Sequence, residues 1–410
     1  MSVGGAGPDT GVAPPPGLVP VGSDELAARE RAAPQPVRPG AIRVGHVLGV
    51  PVRVNPIAVL LALVVGAGTL GPIIDDAGGS EGTLWGLGGG LLLEVCIFAH
   101  ELAHAAVARR LGLQVGSLQL VPLGGSTMVE PSRTATEEYA VAAAGPLVSL
   151  VLAGVLALAA RLVDGGAHPL LPFPALGSAP GLLLAWLAAL NALLAAFNLL
   201  PCLPLDGGRV LRAAAWGVTG RATAGAWTEA VVSLALGCGG LVASLQIGPV
   251  LSLPLAVFSA FVLFLSRVRL RDVRVRERAA RLSLRAIVRR ALPVPAETPL
   301  AEALRRASAA GATAVVSLGR DGVPAALMSG ARVDAMPVTR RPWVPLAEVS
   351  RPLAEGLVLD AALPGDAVLR ALRAYPASEY LIVEAGRVLG VLATVDVVAR
   401  ISGRTAPARA

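Results

Sequence analysis

Hydrophobic residues are concentrated in six long runs within the first two thirds of the chain, and charged residues are few inside them. Each run approaches the ~20 residues that a helix needs to cross the hydrocarbon layer of a bilayer. The pattern therefore predicts six transmembrane helices. The runs lie at residues 55–74, 84–108, 138–163, 181–200, 226–247 and 250–266.

A different pattern separates the second and third runs. Residues 116–128 contain short alternating, β-prone stretches that are broken by Pro122 and by Gly124-Gly125, which predicts a small re-entrant β-hairpin. The third helix should begin just after Thr134, because Thr134 and Glu137 have the S/T-x-x-E spacing of a capping box.

After residue 270 the composition changes to that of a soluble α/β protein. Charged helical stretches alternate with short apolar strands, first at residues 298–310 and 314–317. The same order returns with a helix at residues 365–373, strands at 380–383 and 390–392, and a closing helix after Asp396. This repetition predicts an internal pair of similar β-α-β units.

The predicted fold class is therefore a membrane all-α protein with six transmembrane helices and a small hairpin, followed by a soluble α/β domain. We expect a disordered tail rich in Pro, Gly and Ala at residues 1–44, without a secretory signal peptide. A six-span membrane domain should occupy residues 45–270, a basic linker helix residues 271–288, and the soluble pair residues 289–403.

Composition supports the membrane class. Of 410 residues, 54% are hydrophobic and only 15% are charged, which argues against an ordinary soluble protein of this size. The net charge of +7 comes from dispersed arginines without any lysine, so we expect no nucleic-acid partner. Cys96, Cys202 and Cys238 show no paired spacing and imply no disulfide framework.

The arginines also predict an orientation, because basic residues favour the cytoplasmic side. The loop after the first run carries only acidic charge, whereas arginines precede the first run and follow the second, fourth and sixth. We therefore expect a multi-pass protein of the cell membrane with cytoplasmic N- and C-termini. The arginines before the first run are Arg29, Arg31, Arg38, Arg43 and Arg53.

Two of only four histidines fall in one HExxH motif, His100-Glu101-Leu102-Ala103-His104, inside the second predicted span. Residues i and i+4 of a helix differ by only about 40° around its axis, so both imidazoles can share one zinc ion. Glu101 could then hold a water molecule on that metal. The alternative is two buried histidines beside an incidental glutamate, but ionisable groups inside a span are costly and usually functional.

A zinc site of this kind needs a third protein ligand. His46 precedes the first span and His168 should lie outside, which makes both poor donors. The best remaining donor is Asp206, at the cytoplasmic end of the fourth span. Pro201 and Pro204 interrupt the helix there and Gly207-Gly208 permit a sharp turn, so its carboxylate could reach a neighbouring helix. Alternatively, Asp206 only caps the next helix.

These motifs resemble those of the site-2 protease family of intramembrane metalloproteases, in the branch that carries a C-terminal pair of CBS modules. The resemblance implies that His100, His104 and Asp206 bind one Zn²⁺, that Glu101 is the general base, and that Asn198 orients or polarises the scissile carbonyl. The matching stretches are Gly49-Val-Pro-Val52, Phe98-Ala-His-Glu-Leu-Ala-His104, Pro122-Leu-Gly-Gly125, Ala144-Gly-Pro146 and residues 198–209.

The resemblance further implies regulated cleavage of transmembrane protein substrates in the lipid bilayer, such as an anti-sigma factor or a membrane-held transcription regulator. Many members have histidine where this chain has Asn55, so any auxiliary role of that position is open. Paired CBS modules commonly associate, which would make a homodimer.

The CBS modules depart from the pattern that binds adenine nucleotides. Asp396 lies in a stretch that resembles the ribose-contacting end of a module, but Ala393 replaces the usual hydroxyl residue. In the first module, the stretch at residues 322–330 lacks the corresponding aspartate. The sequence therefore leaves two alternatives: nucleotide binding at Asp396, or a purely structural or dimerising role for the modules.

Two other classes of function are compatible with parts of the pattern. A CBS-regulated channel or transporter should place polar residues along several spans, whereas the marked polar groups here fall in one HExxH and one Leu-Asp-Gly-Gly. An inactive, protease-like membrane adaptor would not need Glu101, which is present.

Overall fold

The structure is a computed structural model that describes residues 20–32, 40–78, 81–121, 124–164, 178–354, 356–385 and 387–402. Its contacts divide the chain into two compact units. We call Pro34–Val273 the membrane unit, and Met1–Ala33 together with Arg274–Ala410 the terminal unit. His168 and residues 1–19 of the predicted tail lie outside the described residues.

The described helices are α1 (Ser23–Ala32), α2 (Pro56–Asp76), α3 (Gly82–Arg110), α4 (Ala135–Val163), α5 (Ala179–Asn198), α6 (Asp206–Thr219), α7 (Ala222–Ser244), α8 (Pro249–Ala280), α9 (Leu300–Ala309), α10 (Gly330–Ala335), α11 (Leu346–Val349), α12 (Gly365–Ala374) and α13 (Thr394–Ser402). The described strands are β1 (Ile42–Val47), β2 (Val50–Val54), β3 (Val115–Val121), β4 (Gly124–Val129), β5 (Ala291–Pro295), β6 (Ala314–Leu318), β7 (Pro324–Met328), β8 (Ser350–Pro352), β9 (Val358–Asp360), β10 (Glu379–Glu384) and β11 (Arg387–Ala393).

Six of these helices, α2, α3, α4, α5, α7 and α8, are long and apolar enough to cross a membrane, which confirms the predicted spans. Local sequence determines where they start. Asn55 accepts a hydrogen bond from the Ile57 amide and Pro56 opens α2, while Thr134 accepts one from the Glu137 amide before α4. Half of the capping box predicted at Thr134 is present, because the Glu137 carboxylate accepts its hydrogen bond from the amide of Arg133, one residue before Thr134.

Glycines allow α2 and α3 to pack with their backbones in direct contact. Gly86 and Gly90 of α3 lie against Gly66 of α2, and a Cβ atom on Gly86 or Gly66 would overlap the other glycine's carbonyl oxygen. Small residues four apart are the usual means by which transmembrane helices approach closely. This packing fixes the first half of α3, ahead of the HExxH turn.

The predicted hairpin exists as β3 and β4, with Leu118 opposite Thr127. It is half of a larger sheet of order β1-β2-β3-β4, because β2 pairs in parallel with β3 and aligns Val52 with Leu118. The prediction missed β1 and β2. Burial accounts for them, since Val50 and Val52 pack with Leu118 against Ala105 of α3.

The terminal unit contains the predicted internal repeat. The order strand, helix, strand, strand, helix occurs in β5-α9-β6-β7-α10 and again in β9-α12-β10-β11-α13. Each first strand pairs in parallel with the next strand, which pairs antiparallel with the third. A shared core of buried residues from both repeats, including Val316 and Leu381, joins the two sheets.

Residues 20–32 differ from the expected disordered tail. Val21 forms a parallel bridge with Leu359 of β9, and Leu26 of α1 is only 1% exposed in the core beneath α12. Apolar burial and strand pairing therefore order this segment. The predicted basic linker also differs, because α8 continues unbroken to Ala280 and a short 3₁₀ turn, Leu284–Ala286, follows.

Candidate metal centre

His100 and His104 lie one turn apart on α3 and are each 3% exposed. Their Nε2 atoms approach to 3.2 Å. Each Nδ1 atom has a partner on α4: His104 Nδ1 donates to the Val141 carbonyl at 2.6 Å, and His100 Nδ1 is 2.9 Å from Ser149 Oγ. Such bonds fix the ring orientation, and the bond to Val141 leaves the Nε2 lone pair of neutral His104 free for a ligand.

Asp206, the first residue of α6, completes this group. Its Oδ2 atom lies 3.2 Å from the Nε2 atoms of both His100 and His104. The two following glycines make the turn possible, because a Cβ at Gly207 would overlap the Leu199 carbonyl and one at Gly208 the Cys202 carbonyl. The structure therefore brings together the three side chains that the sequence predicted as ligands.

Glu101 is buried beside the two histidines, at 7% exposure. One donor atom from each of His100, Glu101 and His104 lies within 4.8 Å of the others. Thr127 of β4 donates a hydrogen bond from Oγ1 to Glu101 Oε2 at 2.6 Å. The sheet thus holds the glutamate side chain against the site.

The donor set fits zinc. Two imidazoles and one carboxylate converge from α3 and α6, which is the ligand number and type of catalytic zinc sites that keep a position open. Gly145 of α4 leaves the space, because a Cβ there would overlap the Nε2 atoms of both His100 and His104.

Two predicted residues are not brought into this group. Asn198 ends α5, and its Nδ2 atom donates to the Leu194 carbonyl at 3.0 Å within the same helix. Asp396 lies in the terminal unit, where Arg289 holds both carboxylate oxygens at 2.6 and 2.8 Å. Those hydrogen bonds raise the pKa of the Arg289 guanidinium above its usual value.

Sequence reasoning missed the supporting residues Val141, Ser149 and Thr127. Val141 acts through its backbone carbonyl, a group that every residue has, so its residue type gives no sign of this role. Serine and threonine near apolar stretches are too common to mark a site. Gly125 and Gly145 did appear in the family-like motifs, and their contacts with Glu101 and the histidines explain why glycine is needed there.

The fold and the donor set define a polytopic membrane protein with an HExxH-type metal site. Residues 89–168 and 173–238 match the model of peptidase family M50, and this segment contains all three donors. The chain is 40% identical over 190 residues to a candidate zinc metalloprotease of Synechocystis sp., covering 45% of this chain and 46% of the relative. These matches confirm the predicted resemblance of the membrane unit to zinc metalloproteases of this family.

Solved structures with similarity to the chain include the site-2 protease from Methanocaldococcus jannaschii, at 28% identity and a TM-score of 0.38, covering 56% of this chain and 94% of that one. Another is a CBS domain protein from Thermoplasma acidophilum, at 18% identity and a TM-score of 0.25, covering 30% of this chain and 72% of that one. The chain spans about half the length of the curated relatives it matches.

Proposed function

We propose that this protein is an intramembrane zinc metalloprotease that hydrolyses peptide bonds within or near the transmembrane segments of membrane proteins. The observation that supports it is the convergence of His100, His104 and Asp206 at 3.2 Å, with Glu101 buried beside them. That combination of donors and a carboxylate base is the one that metal-assisted peptide hydrolysis requires.

Glu101 is the proposed general base. A bound zinc ion would lower the pKa of a coordinated water toward ~7 and polarise the substrate carbonyl. Glu101 takes the proton from the attacking water and returns it to the departing amine as the peptide bond breaks. The hydrogen bond from Thr127 to Oε2 fixes the carboxylate, so the other oxygen remains for the water.

Asn198 is proposed to orient or polarise the scissile carbonyl. Its carboxamide bonds to Leu194 within its own helix, so this role requires that the side chain turn toward bound substrate. Its place at the end of α5, eight residues before Asp206, keeps it near the turn that carries the third ligand.

β4 is the proposed docking edge for substrate. A transmembrane helix hides its carbonyls in internal hydrogen bonds and must unwind before attack, and an extended segment can then pair with an exposed strand edge. β4 lies at the end of the sheet order β1-β2-β3-β4, and the same strand contacts Glu101 through Gly125 and Thr127. Paired there, a substrate strand would run past the base.

The proposed location is the cell membrane, with both termini and the metal centre toward the cytoplasm. The arginine distribution supports this orientation, since Arg209, Arg212 and Arg221 follow the span that ends at Asn198. Substrates would be membrane-held regulators such as an anti-sigma factor. A homodimer through the terminal unit is also proposed, and Val395 and Val398, one turn apart on α13, support it because they are 51% and 57% exposed.

Substitution of Glu101 tests the proposal. Glu101→Gln should lower cleavage of a membrane substrate by at least about 10²-fold, because the base is lost while the ligands remain. Zinc per chain, measured by elemental analysis of purified protein, should match the wild type. His104→Ala should lose both the zinc and the activity.

Glu81→Gln is the matched control, since Glu81 is an exposed carboxylate at the start of the same helix, and it should behave as the wild type. Comparison of membrane-protein fragments between wild-type and Glu101→Gln cells would also reveal the substrate. Full cleavage by purified Glu101→Gln protein, or a wild-type protein without zinc, would refute the proposed function.

A further inference from the structure

α6 presents charged side chains on three successive turns, at Asp206, Arg209 and Arg212. Asp206 reaches the histidines. The two arginines reach in a different direction, toward a single carboxylate on α4, Glu138. α6 is an amphipathic helix of 14 residues outside the six predicted spans, so its own length does not anchor it across a bilayer.

Glu138 is the point at which both arginines meet. Its carboxylate is 4% exposed, and its Oε1 atom accepts a hydrogen bond from Arg209 Nε at 2.9 Å and a second from Arg212 Nη2. Arg209 also lies 4.0 Å from Asp206 Oδ1 through Nη1. The third donor and the buried carboxylate are therefore linked through one guanidinium group.

A second buried carboxylate extends the cluster to two more helices. Glu229 of α7 is fully buried, and its Oε2 atom lies 3.2 Å from Arg212 Nη1 and 3.3 Å from Arg269 Nη2 of α8. Arg212 thus bridges two carboxylates with its two terminal nitrogens. Buried charges of this kind are tolerated only when they are paired, and removing one partner is strongly destabilising to the arrangement.

The face of α4 that carries Glu138 also contacts the two histidines of α3. Glu138, Val141, Gly145 and Ser149 are spaced three, four and four residues apart, which places them on one side of a helix. Val141 and Ser149 orient the two imidazoles, and Gly145 leaves them room. One helix face therefore contacts the two histidine ligands directly and the aspartate's helix through Glu138.

We propose that Glu138, with Arg209 and Arg212, is a positioning network that sets the distance between Asp206 and the histidine pair, and so sets the zinc affinity. This inference rests on the proposed zinc function. The network touches no substrate and supplies no reacting group. Its effect passes through the placement of α6.

Zinc affinity of the full-length protein in detergent is the direct readout. Bound zinc should be measured by competition with chelators of graded strength, and Glu138→Gln should raise the zinc dissociation constant roughly 10- to 100-fold, as loss of groups that orient metal ligands does. Glu137→Gln is the matched control, because Glu137 is the preceding residue and its carboxylate accepts a hydrogen bond from the nearby Arg133 amide. It should keep wild-type affinity.

A double-mutant cycle with Asp206→Ala separates positioning from general stability. Without the aspartate, Glu138→Gln has nothing to position, so the double variant should bind zinc as weakly as Asp206→Ala alone, within about threefold. A further loss equal to that of the single variant would assign Glu138 to bundle stability and overturn the proposal. The visible spectrum of bound Co²⁺ should change in Glu138→Gln in the same direction as in Asp206→Ala.

Arg212→Lys tests the same network with its charge retained, which guards against a Glu138 variant that fails to fold. A lysine carries its charge on one nitrogen and lacks the two separated terminal nitrogens through which Arg212 reaches Glu229 and Glu138, so zinc affinity should again fall. Wild-type zinc affinity in both Glu138→Gln and Arg212→Lys would overturn the proposed positioning network but leave the proposed zinc function standing. A wild-type protein that binds no zinc would instead overturn the proposed function on which the network rests.

Discussion

Single residues at the metal centre are constrained by size as much as by chemistry. Gly145 lies against the Nε2 atoms of His100 and His104, and Gly125 lies against the side chain of Glu101. Any larger residue would occupy the space between the donors or displace the base. Gly125 and Gly145 are therefore part of the site, although neither supplies a metal ligand.

Gly145→Ala tests this constraint. The added methyl would overlap both imidazoles, so the variant should lose most of its bound zinc and, with it, the proposed proteolytic activity. Gly154→Ala is the control on the same helix, because a Cβ at Gly154 meets no neighbour within 4 Å. Elemental analysis of both proteins would decide, and stoichiometric zinc in Gly145→Ala would contradict the argument.

Between helices, the packing of α2 on α3 depends on the absence of side chains. Gly86 and Gly90 meet Gly66 at backbone distance, so the pair is held by dispersion contacts that a methyl group would disrupt. Because α3 carries the HExxH turn, the position of that turn depends on this contact in its first half. The packing of α3 against α2 and the geometry of the metal site are therefore linked along one helix.

Gly86→Ala should therefore lower the free energy of unfolding by about 1–3 kcal/mol, as overpacking does in well-packed interiors. Gly88→Ala, two residues later on α3, has open space for its Cβ and should change stability little. Thermal unfolding of both variants in the same detergent would measure the difference. Equal melting temperatures would contradict the proposed packing constraint.

Elements with a local sequence pattern, such as the apolar spans, were predictable from the sequence. Elements that form only by pairing with distant residues were not. Each span is a self-contained apolar run, so all six were found. β2 pairs with β3, which begins more than 60 residues later, so the local pattern does not show its partner. Asn198 lay inside the fourth predicted run, at residues 181–200, and its hydrogen bond to Leu194 depends on a side-chain conformation that the sequence does not specify.

At the scale of the whole molecule, the segment at residues 20–32 packs against residues of the C-terminal half within the terminal unit. Val21 pairs with Leu359, Leu26 is buried beneath α12, and Glu25 accepts a hydrogen bond from Tyr375 at 3.2 Å. Composition alone predicted a disordered segment here, because the apolar surface that orders it comes from residues more than 300 positions later. The segment therefore belongs to the terminal unit rather than to the tail.

Leu26→Asp should release this segment. A charge in the place of a buried leucine removes the apolar contact that holds α1, so amide hydrogen exchange of residues 21–32 should accelerate to the rate of an unfolded peptide. Ala28→Asp adds the same charge at an exposed position of α1 and should leave exchange slow. Equal exchange in the two variants would show that Leu26 does not anchor the segment.

The metal donors lie in an order along the chain that has a consequence for biogenesis. α3 enters the membrane with two imidazoles and a carboxylate, and their partners Val141 and Ser149 arrive only when α4 has been synthesised. Asp206 follows after a further helix. A nascent chain that has not yet reached Asp206 lacks the third ligand, so the proposed hydrolytic activity should appear only once the bundle around α6 is in place.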